Sequence, residues 1–371
     1  MPSPPLVIRR LGLVEYEDGL RMQEALGERI REGSSPDHLL LLEHPHVLTM
    51  GRRGGWENLV APEAMLAELG VELHETDRGG DITYHGPGQV VGYPLITLPE
   101  GRRDVRRYVG SVEQLLISAC ADFGVTTEPG GPGRTGVWAP EGKVGSIGVR
   151  IHRWVTSHGF ALNVETDLSF FGLIIPCGLA GEPVTSLAQL APGSPAPPPS
   201  VGAVVDRLVA RVGDALDREA QEVPIERDSV QVIVHRRSAG GARQILVLNR
   251  TEERGGFRQP VTGLLEAGED PRAAAAREVQ EETGLPCRPE DLRDLDYTHS
   301  FLIERWTRPD NPDAPGFCRE HSFAWEAPAA AEVRIEPREH TAAAWLAPEV
   351  AVEAMRWKGN IRAIRLVAGA I

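Results

Sequence analysis

The chain has 371 residues and a formal net charge of −14, from 53 acidic and 39 basic side chains. This length suffices for two domains that each bury a core, and the acidic balance excludes a broad basic surface for nucleic acid. Its four cysteines show no CxxC spacing, which argues against a disulfide framework. Neither a signal-like N-terminal start nor a run of about 18 apolar residues is present, so we predict a reduced cytoplasmic protein that does not contact membranes.

The first part of the chain alternates strand-like and helical segments, which is typical of an α/β domain. Strands are predicted at residues 39–42, 90–97 and 160–164. Apolar residues recur with helical spacing at residues 104–123 and again at 201–219, so each segment is predicted to form an amphipathic helix.

Residues 191–200, APGSPAPPPS, have the composition of an interdomain linker. We instead interpret them as a loop inside the first domain, because the amphipathic helix that follows needs a partner for its apolar face. Strand signals resume at residues 230–234 and 245–248. A boundary near residue 222 is therefore predicted. The two domains would comprise residues 1–222 and 223–371.

Residues 78–89, RGGDITYHGPGQ, contain four glycines and one proline, so the backbone there can approach a ligand closely. Arg78, Tyr84, His85 and Gln89 supply polar groups around it. Taken alone, such a stretch more often forms an ordinary tight turn.

Three further segments follow in order, GKVGSIGVRI at 142–151, HGFALNV at 158–164 and IIPCGLAG at 174–181. With the glycine-rich loop, they resemble the lipoyl(octanoyl) transferases of lipoate biosynthesis over most of residues 5–220. The resemblance implies the α/β (α+β) fold of biotin and lipoate protein ligases, a mixed sheet with flanking helices. It also implies transfer of octanoyl from octanoyl-acyl carrier protein to a lysine of a lipoyl domain, without a cofactor. The implied acceptors are the lipoyl domains of 2-oxoacid dehydrogenases and the glycine cleavage H protein.

Cys177, between Pro176 and Gly178, is the candidate nucleophile, because acyl transfer from a thioester to an amine divides readily through a second thioester. A free thiol has a pKa of about 8.5 and is mostly protonated at neutral pH unless a cation lies close. Lys143 matches the family's lysine and would lower that pKa and carry the proton to the leaving thiol. It is the only lysine of this arginine-rich domain, and arginine cannot release its proton.

The resemblance also implies which residues line the acyl pocket. They are Arg78, Gly79, Gly80, Asp81, Ile82, Thr83, Tyr84, His85, Ser146, Ile147, Gly148, Gly159, Phe160 and Ala161. His85 and His158 adjoin glycines and either assist proton transfer or hydrogen-bond the loops.

Four arginines cluster at the start of the helix predicted at 104–123, where positive charge opposes the helix dipole. They are Arg102, Arg103, Arg106 and Arg107. Either they form a docking patch for an acidic acyl carrier protein, or they follow from the arginine-rich composition of the chain.

Residues 263–285 read GLLEAGEDPRAAAAREVQEETGL and predict a helix, with Asp270 as its N-cap and Gly284 just past its end. Glu278, Glu281 and Glu282 stand at i, i+3 and i+4, so three carboxylates share one face. Like charges repel at this spacing, and a hard cation such as Mg²⁺ would turn the repulsion into ligation. A solvated acidic face is the alternative.

This segment resembles the Nudix box, G-x5-E-x7-R-E-U-x-E-E-x-G-U. The matching residues are Gly263, Glu269, Arg277, Glu278, Val279, Glu281, Glu282, Gly284 and Leu285. The resemblance implies an α/β/α sandwich and a Mg²⁺-dependent hydrolase of nucleoside diphosphate derivatives. The three glutamates would hold Mg²⁺, while Arg277 and Glu269 would orient the site.

Outside the box, EHTAAAWL at 339–346 resembles the Nudix branch that hydrolyses dihydroneopterin triphosphate and dATP. A nucleoside triphosphate or pterin triphosphate is therefore the expected substrate. On this resemblance Glu339 is a candidate extra metal ligand or base; its alternative is a solvated loop carboxylate.

Two other functional hypotheses stay open. The first half would be an ATP-dependent lipoate ligase that works through an adenylate, although the Pro-Cys-Gly motif argues against this, since an adenylate route needs no nucleophilic cysteine. The second half would be a nucleotide-sensing module without turnover, although its intact box argues against decay.

Overall fold

A computed structural model of the chain describes residues 5–131, 133–175, 182–191, 199–303 and 316–369. The chain divides into two compact units, Met1–Pro224 and Ile225–Ile371. None of the described helices is long and apolar enough to cross a membrane.

The first unit contains a main mixed sheet and a small second sheet. Its strands are β1 (Leu6–Leu13), β2 (Asp37–Glu43), β3 (Val47–Met50), β4 (Glu72–Glu75), β5 (Thr83–His85), β6 (Gln89–Leu95), β7 (Glu128–Pro129), β8 (Gly136–Ala139), β9 (Gly142–His152), β10 (Val155–Asn163) and β11 (Ala220–Glu222). The main sheet has the order β11–β1–β2–β6–β10–β9–β8–β7. β1 runs parallel to β11 and β2, and the later pairs are antiparallel. β4, β3 and β5 form a small separate sheet.

Helices of the first unit flank this sheet. They are α1 (Tyr16–Arg31), α2 (Glu63–Glu68), α3 (Val105–Ala121), α4 (Leu187–Leu190) and α5 (Val201–Leu216). The predicted strands correspond to β2, β6 and β10, and the two predicted amphipathic helices correspond to α3 and α5, so these predictions are confirmed. The mixed sheet with flanking helices confirms the predicted fold of this half.

α3 and α5 pack against each other and bury the apolar stripes that the sequence predicts. Val112 and Leu116 of α3, with Val204 and Leu208 of α5, are fully buried in one hydrophobic core with residues of the sheet. Burying such a side chain stabilises the fold by about 1.5–3 kcal/mol. The start of α3 is also fixed locally, because the side chain of Asp104 accepts hydrogen bonds from the first backbone N–H groups.

The second unit has its own mixed sheet. Its strands are β12 (Arg227–Arg237), β13 (Arg243–Arg250), β14 (Arg258–Gln259), β15 (Val261–Leu264), β16 (Arg293–Ile303), β17 (Gly316–Glu326) and β18 (His340–Leu346). Its helices are α6 (Pro271–Thr283), α7 (Pro348–Ala354) and α8 (Lys358–Ala368). β12 pairs with β17 in parallel and with β13 and β15 in antiparallel fashion, while β18 pairs with β13. β12 and β13 contain the two strands predicted for this half.

Helices cover both faces of the second sheet. Val230 and Val232 of β12 share a core with Ala275 and Val279 of α6. Gln231, which lies between the two valines, hydrogen-bonds to an asparagine of α8 instead. Because successive strand residues point to opposite faces, α6 and α8 lie on opposite sides of the sheet. This layering is the α/β/α sandwich that the sequence predicts.

Candidate active sites of the two units

A cleft of about 960 Å³ opens in the first unit. It gathers residues of three of the four sequence segments singled out above, namely 78–89, 142–151 and 158–164. The predicted residues that line it are Arg78, Gly79, Gly80, Asp81, Ile82, Thr83, His85, Lys143, Ser146, Ile147, Gly148, His158, Gly159, Phe160 and Ala161. Tyr84, by contrast, is fully buried, and its hydroxyl hydrogen-bonds to Nδ1 of His46 at 2.8 Å.

Arg78 anchors the glycine-rich loop. Its Nη2 donates to the backbone oxygen of Thr49 at 2.5 Å and to the Thr49 hydroxyl at 2.9 Å. The N–H of Gly79 donates to the carbonyl of Val149 in β9 at 3.0 Å, so the loop lies directly on that strand. A Cβ atom on Gly148 would lie 2.9 Å from the carbonyl oxygen of Gly79. The close approach of loop and strand therefore requires glycine at position 148.

Lys143 lies in the part of β9 that pairs with β8. Its N–H donates to the carbonyl of Pro183 at 2.9 Å, and its own carbonyl accepts from the N–H of Thr185 at 2.9 Å. Its Nζ lies 5.4 Å from the ring centroid of Trp138. The segment that follows the Pro-Cys-Gly motif is thus held to the backbone of Lys143. Cys177 itself lies outside the described residues, so its pairing with Lys143 stays a prediction.

His158 has a strained backbone, with φ at 55°. Its N–H donates to Oε1 of Gln23 at 2.6 Å, and its Nε2 hydrogen-bonds to Oδ1 of Asp77 at 2.8 Å. Asp77 is also paired with Arg150. Burial lowers the pKa of His158, although Asp77 opposes this shift. The neutral ring therefore donates from Nε2 to Asp77 and leaves Nδ1 as an acceptor.

Basic side chains also reach the cleft. Of the four arginines predicted as a docking patch, Arg106 lines it, whereas Arg102 is paired with Asp217. Arg53 and Arg134 line it as well, although the sequence did not single them out. Docking of acyl carrier protein by the four arginines stays a prediction.

Sequence reasoning missed three aromatic residues of the cleft, Tyr16, Tyr93 and Trp138. All three side chains are buried. Tyr93 and Trp138 stand in apolar strand segments, which indicate core positions, whereas Tyr16 stands among the acidic residues of EYED at 15–18. The usable signal is the alternation in β6, where Val91 and Tyr93 line the cleft together.

In the second unit, α6 begins and ends as predicted. The side chain of Asp270 accepts from the N–H groups of Arg272 and Ala273, and Pro271 occupies the first turn. Gly284 ends the helix in the left-handed conformation, with φ at 67°. The predicted capping is confirmed.

Arg277 joins three glutamates of the box, Glu269, Glu278 and Glu281. Its Nε and Nη2 donate to the two carboxylate oxygens of Glu269 at 3.0 and 2.9 Å, and its Nη1 donates to Glu278 at 2.7 Å. The hydrogen bonds from Arg277 lower the pKa of Glu269 to about 2. A two-bond contact of this kind restrains both position and orientation, as the predicted orienting role requires.

Glu282 is the most buried of the three predicted metal ligands, at 3% exposure. Its Oε2 accepts from the N–H of Thr262 at 3.3 Å, and its Oε1 lies 3.3 Å from Nε2 of His340. Ligand atoms of Glu282, Glu339 and His340 lie within 4.8 Å of one another. The side chain of Glu281, by contrast, is 60% exposed. The structure therefore brings Glu282 together with Glu339 and His340. Of these two, the sequence singled out only Glu339.

The donor set fits a divalent cation. Burial raises the pKa of Glu278 to about 7 and also raises the pKa of Glu282. A cation would stabilise both carboxylates in their charged form. Carboxylate oxygens suit Mg²⁺, and the imidazole of His340 adds a nitrogen donor that transition metals accept.

Comparison with known proteins places both units in families. Residues 15–213 match the lipoyl protein ligase A/B catalytic domain, and residues 226–367 match the NUDIX domain. An octanoyltransferase from Myxococcus xanthus is 44% identical over 360 residues, covering 95% of this chain and 96% of that protein. One from Solibacter usitatus is 50% identical over 208 residues, covering 56% of this chain and 92% of that protein. The solved dihydroneopterin triphosphate pyrophosphohydrolase of E. coli is 27% identical, covers 37% of this chain and 92% of that chain, and has a TM-score of 0.33.

The fold and the sites define an enzyme of two domains, with an acyl-transferring domain first and a hydrolase domain second. The chain belongs to the octanoyltransferase family and carries a NUDIX hydrolase domain after the catalytic domain.

Proposed function

We propose that the first domain transfers octanoyl from octanoyl-acyl carrier protein to a lysine of lipoyl domains through a thioester on Cys177. The observation that carries this proposal is the cleft, which collects Lys143 with the glycine-rich loop and the 158–161 segment. The proposed acceptors are the lipoyl domains of 2-oxoacid dehydrogenases and the glycine cleavage H protein, and the proposed location is the cytoplasm. Such transfer needs no cofactor in this domain.

The first chemical step forms the acyl-enzyme. The thiolate of Cys177 attacks the octanoyl carbonyl carbon, the new C–S bond forms, and the bond to the carrier thiol breaks. Lys143 enters this step as an ammonium and gives its proton to the departing thiolate.

The second step releases the product. The amine nitrogen of the acceptor lysine attacks the same carbon, the C–N bond forms, and the C–S bond to Cys177 breaks. The neutral amine of Lys143 takes the proton that the attacking nitrogen loses. This restores the ammonium and the thiolate for the next cycle.

Intact-mass measurement tests this proposal. The full chain mixed with octanoyl-acyl carrier protein, without ATP, should gain one octanoyl group and pass it to a lipoyl domain. Cys177→Ala should abolish both events. Cys120→Ala is the matched control, because Cys120 is buried in α3 and burial raises its pKa to about 12. Octanoylation of Cys177→Ala would contradict the thioester, and a requirement for ATP would indicate the ligase alternative.

For the second domain we propose hydrolysis of a nucleoside triphosphate or a pterin triphosphate, with Mg²⁺ and release of pyrophosphate. Glu278, Glu281 and Glu282 would hold the cation, which when bound would neutralise charge on the phosphate oxygens. Arg277 keeps Glu278 in place through the 2.7 Å hydrogen bond. Glu339 would take the proton of the attacking water, since its carboxylate lies in the same cluster as Glu282.

Pyrophosphate release from dATP and from dihydroneopterin triphosphate tests this second activity. It should require Mg²⁺, stop with a chelator, and fall sharply in Glu282→Gln. Glu290→Gln is the control, because Glu290 lies at the surface in an ion pair with Arg288, outside the cluster. Binding of these nucleotides without turnover would instead indicate the nucleotide-sensing alternative.

A further inference from the structure

For two polar side chains on the wall of the transferase cleft, buried hydrogen-bond partners determine whether the group donates or accepts a hydrogen bond toward the cleft. The two side chains are His85 on β5 and Tyr93 on β6, and both line the cleft. His85 is 8% exposed and Tyr93 is 4% exposed. Because both are so deeply set, the buried partners of each group determine what it presents to a ligand.

A run of hydrogen bonds fixes the proton of His85. Nδ2 of Asn163 donates to the carbonyl of Thr185 at 3.0 Å, so its Oδ1 is the acceptor for Nε2 of Gln89 at 2.8 Å. Nε2 of Gln89 also donates to the carbonyl of Tyr84 at 3.2 Å. Oε1 of Gln89 must then accept in its 2.7 Å contact with Nδ1 of His85.

This hydrogen bond also determines the state of Nε2, the other ring nitrogen of His85. Burial lowers the pKa of His85 to about 3, so the ring is neutral and carries its single proton on Nδ1. Nε2 of His85 therefore holds a lone pair and acts as a hydrogen-bond acceptor.

A second run of hydrogen bonds fixes Tyr93. Nδ1 of His44 lies 2.7 Å from the carbonyl of Val14, which can only accept, so Nδ1 carries the proton. Burial lowers the pKa of His44 to about 4, which leaves its Nε2 unprotonated at neutral pH. This Nε2 lies 2.6 Å from Oη of Tyr93, so the hydroxyl donates its one proton there. Oη of Tyr93 then has only acceptor capacity left.

We propose that Nε2 of His85 and Oη of Tyr93 bind the attacking amine of the acceptor lysine. This inference rests on the octanoyl transfer proposed above. An unprotonated primary amine has two N–H bonds and one lone pair. Two acceptors satisfy the two N–H bonds and leave the lone pair for the acyl carbon. The same pair is unsuited to an oxyanion hole, because that site requires donors.

The hydrogen bonds that orient His85 also reach Lys143. Thr185, whose carbonyl ends the run from His85, donates its N–H to the carbonyl of Lys143 at 2.9 Å. His85 and the backbone of Lys143 are thus joined by one continuous set of hydrogen bonds. Gln89 and Asn163 are positioning residues in this arrangement, since they act through His85.

Separate measurement of the two half-reactions tests the amine site. Acyl-enzyme formation from octanoyl-acyl carrier protein and its decay on addition of a lipoyl domain are each followed by rapid quench and intact mass. For Tyr93→Phe and for His85→Leu, we expect decay to slow about ten-fold relative to formation. Tyr108→Phe is the matched control, because Tyr108 belongs to the hydrophobic core of the same unit. It should leave the ratio of the two rates unchanged.

Equal slowing of both half-reactions, or no slowing of either, would overturn the proposal. Failure of the wild-type chain to form any acyl-enzyme would instead refute the octanoyl transfer on which it rests.

A spectroscopic measurement on the wild-type protein tests the protonation of His85 even if a variant folds poorly. The ¹⁵N spectrum of histidine-labelled wild-type protein should show the Nδ1–H form of His85, and Gln89→Leu should shift it toward the Nε2–H form. An Nε2–H form in the wild-type protein would also overturn the proposal.

Discussion

Gly263 lies directly beneath the carboxylate of Glu278, since a Cβ atom on Gly263 would stand 1.9 Å from Cδ of Glu278. Any side chain at this position must displace that carboxylate from its 2.7 Å hydrogen bond with Arg277. The first glycine of the box is therefore a steric condition for the position of Glu278, a proposed metal ligand.

Gly263→Ala should reduce pyrophosphate release by roughly 10- to 100-fold, the usual effect of displacing a group that orients a metal ligand. Octanoyl transfer should be unchanged. Gly240→Ala is the matched control, because the nearest atom to a Cβ there is Oγ of Ser238 at 3.9 Å, an ordinary contact. Full hydrolase activity in Gly263→Ala would mean that Glu278 can work from another position.

Arg277→Lys should lower hydrolysis about ten-fold, because lysine keeps the charge but cannot make two parallel bonds to Glu269. Pyrophosphate release at saturating substrate measures the change. The control is Arg288→Lys, since Arg288 makes the same kind of contact with Asp291 at the surface, with both bonds at 2.9 Å. If the two variants behave alike, the contact with Glu269 has no orienting role.

Lys143→Arg separates charge from proton transfer. Arginine would keep the thiol of Cys177 ionised but could not release a proton, so octanoyl transfer should fall by roughly 10²- to 10⁴-fold. Lys143→Met should remove both effects. Alkylation of Cys177 by iodoacetamide across pH should therefore stay near the wild-type profile in Lys143→Arg and move to higher pH in Lys143→Met. Wild-type transfer rates in Lys143→Arg would exclude the proton shuttle.

The stability of the first unit should fall in mild acid, partly through His38. Burial lowers the pKa of this side chain to about 4 from an ordinary value of 6.5. Between these values the unfolded chain binds a proton that the folded chain excludes. The contribution of His38 to stability is therefore complete above pH 6.5 and is lost as the pH falls toward 4.

Urea unfolding at pH 7.5 and pH 5 measures this effect. In His38→Leu the difference between the two free energies of unfolding should shrink by about 2 kcal/mol. His38→Gln should shrink it equally, because glutamine does not titrate but can still hydrogen-bond to Ser35, which contacts Nε2 of His38 at 3.0 Å. An unchanged difference in both variants would show that His38 does not exclude the proton.

The sequence predicted well wherever the deciding contacts are local. The caps of α6 involve residues within a few positions of each other, and Asp270 and Gly284 perform the predicted roles. The amphipathic helices α3 and α5 were equally accessible, because periodic burial of one face follows from helical geometry. The cleft could be predicted in outline because its glycine-rich and strand segments each carry a recognisable pattern.

Tyr84 shows where such reasoning ends. It was predicted to line the acyl pocket with its neighbours Thr83 and His85, which do line the cleft. In β5, however, alternate side chains point to opposite faces, so Tyr84 turns away and its hydroxyl meets His46. The resemblance identifies the segment, whereas strand pairing decides which of its side chains reach the ligand.

The residues alone were enough to indicate the two amphipathic helices α3 and α5 and the capped helix α6, because short-range spacing carries those features. The proton-transfer role of Lys143 stays a prediction from the resemblance. The meeting of Glu282 with His340, and of Gln89 with Asn163, depended on the folded chain. Each pair joins segments more than fifty residues apart. Such contacts arise from strand register and long-range packing, and these are collective properties that no local pattern encodes.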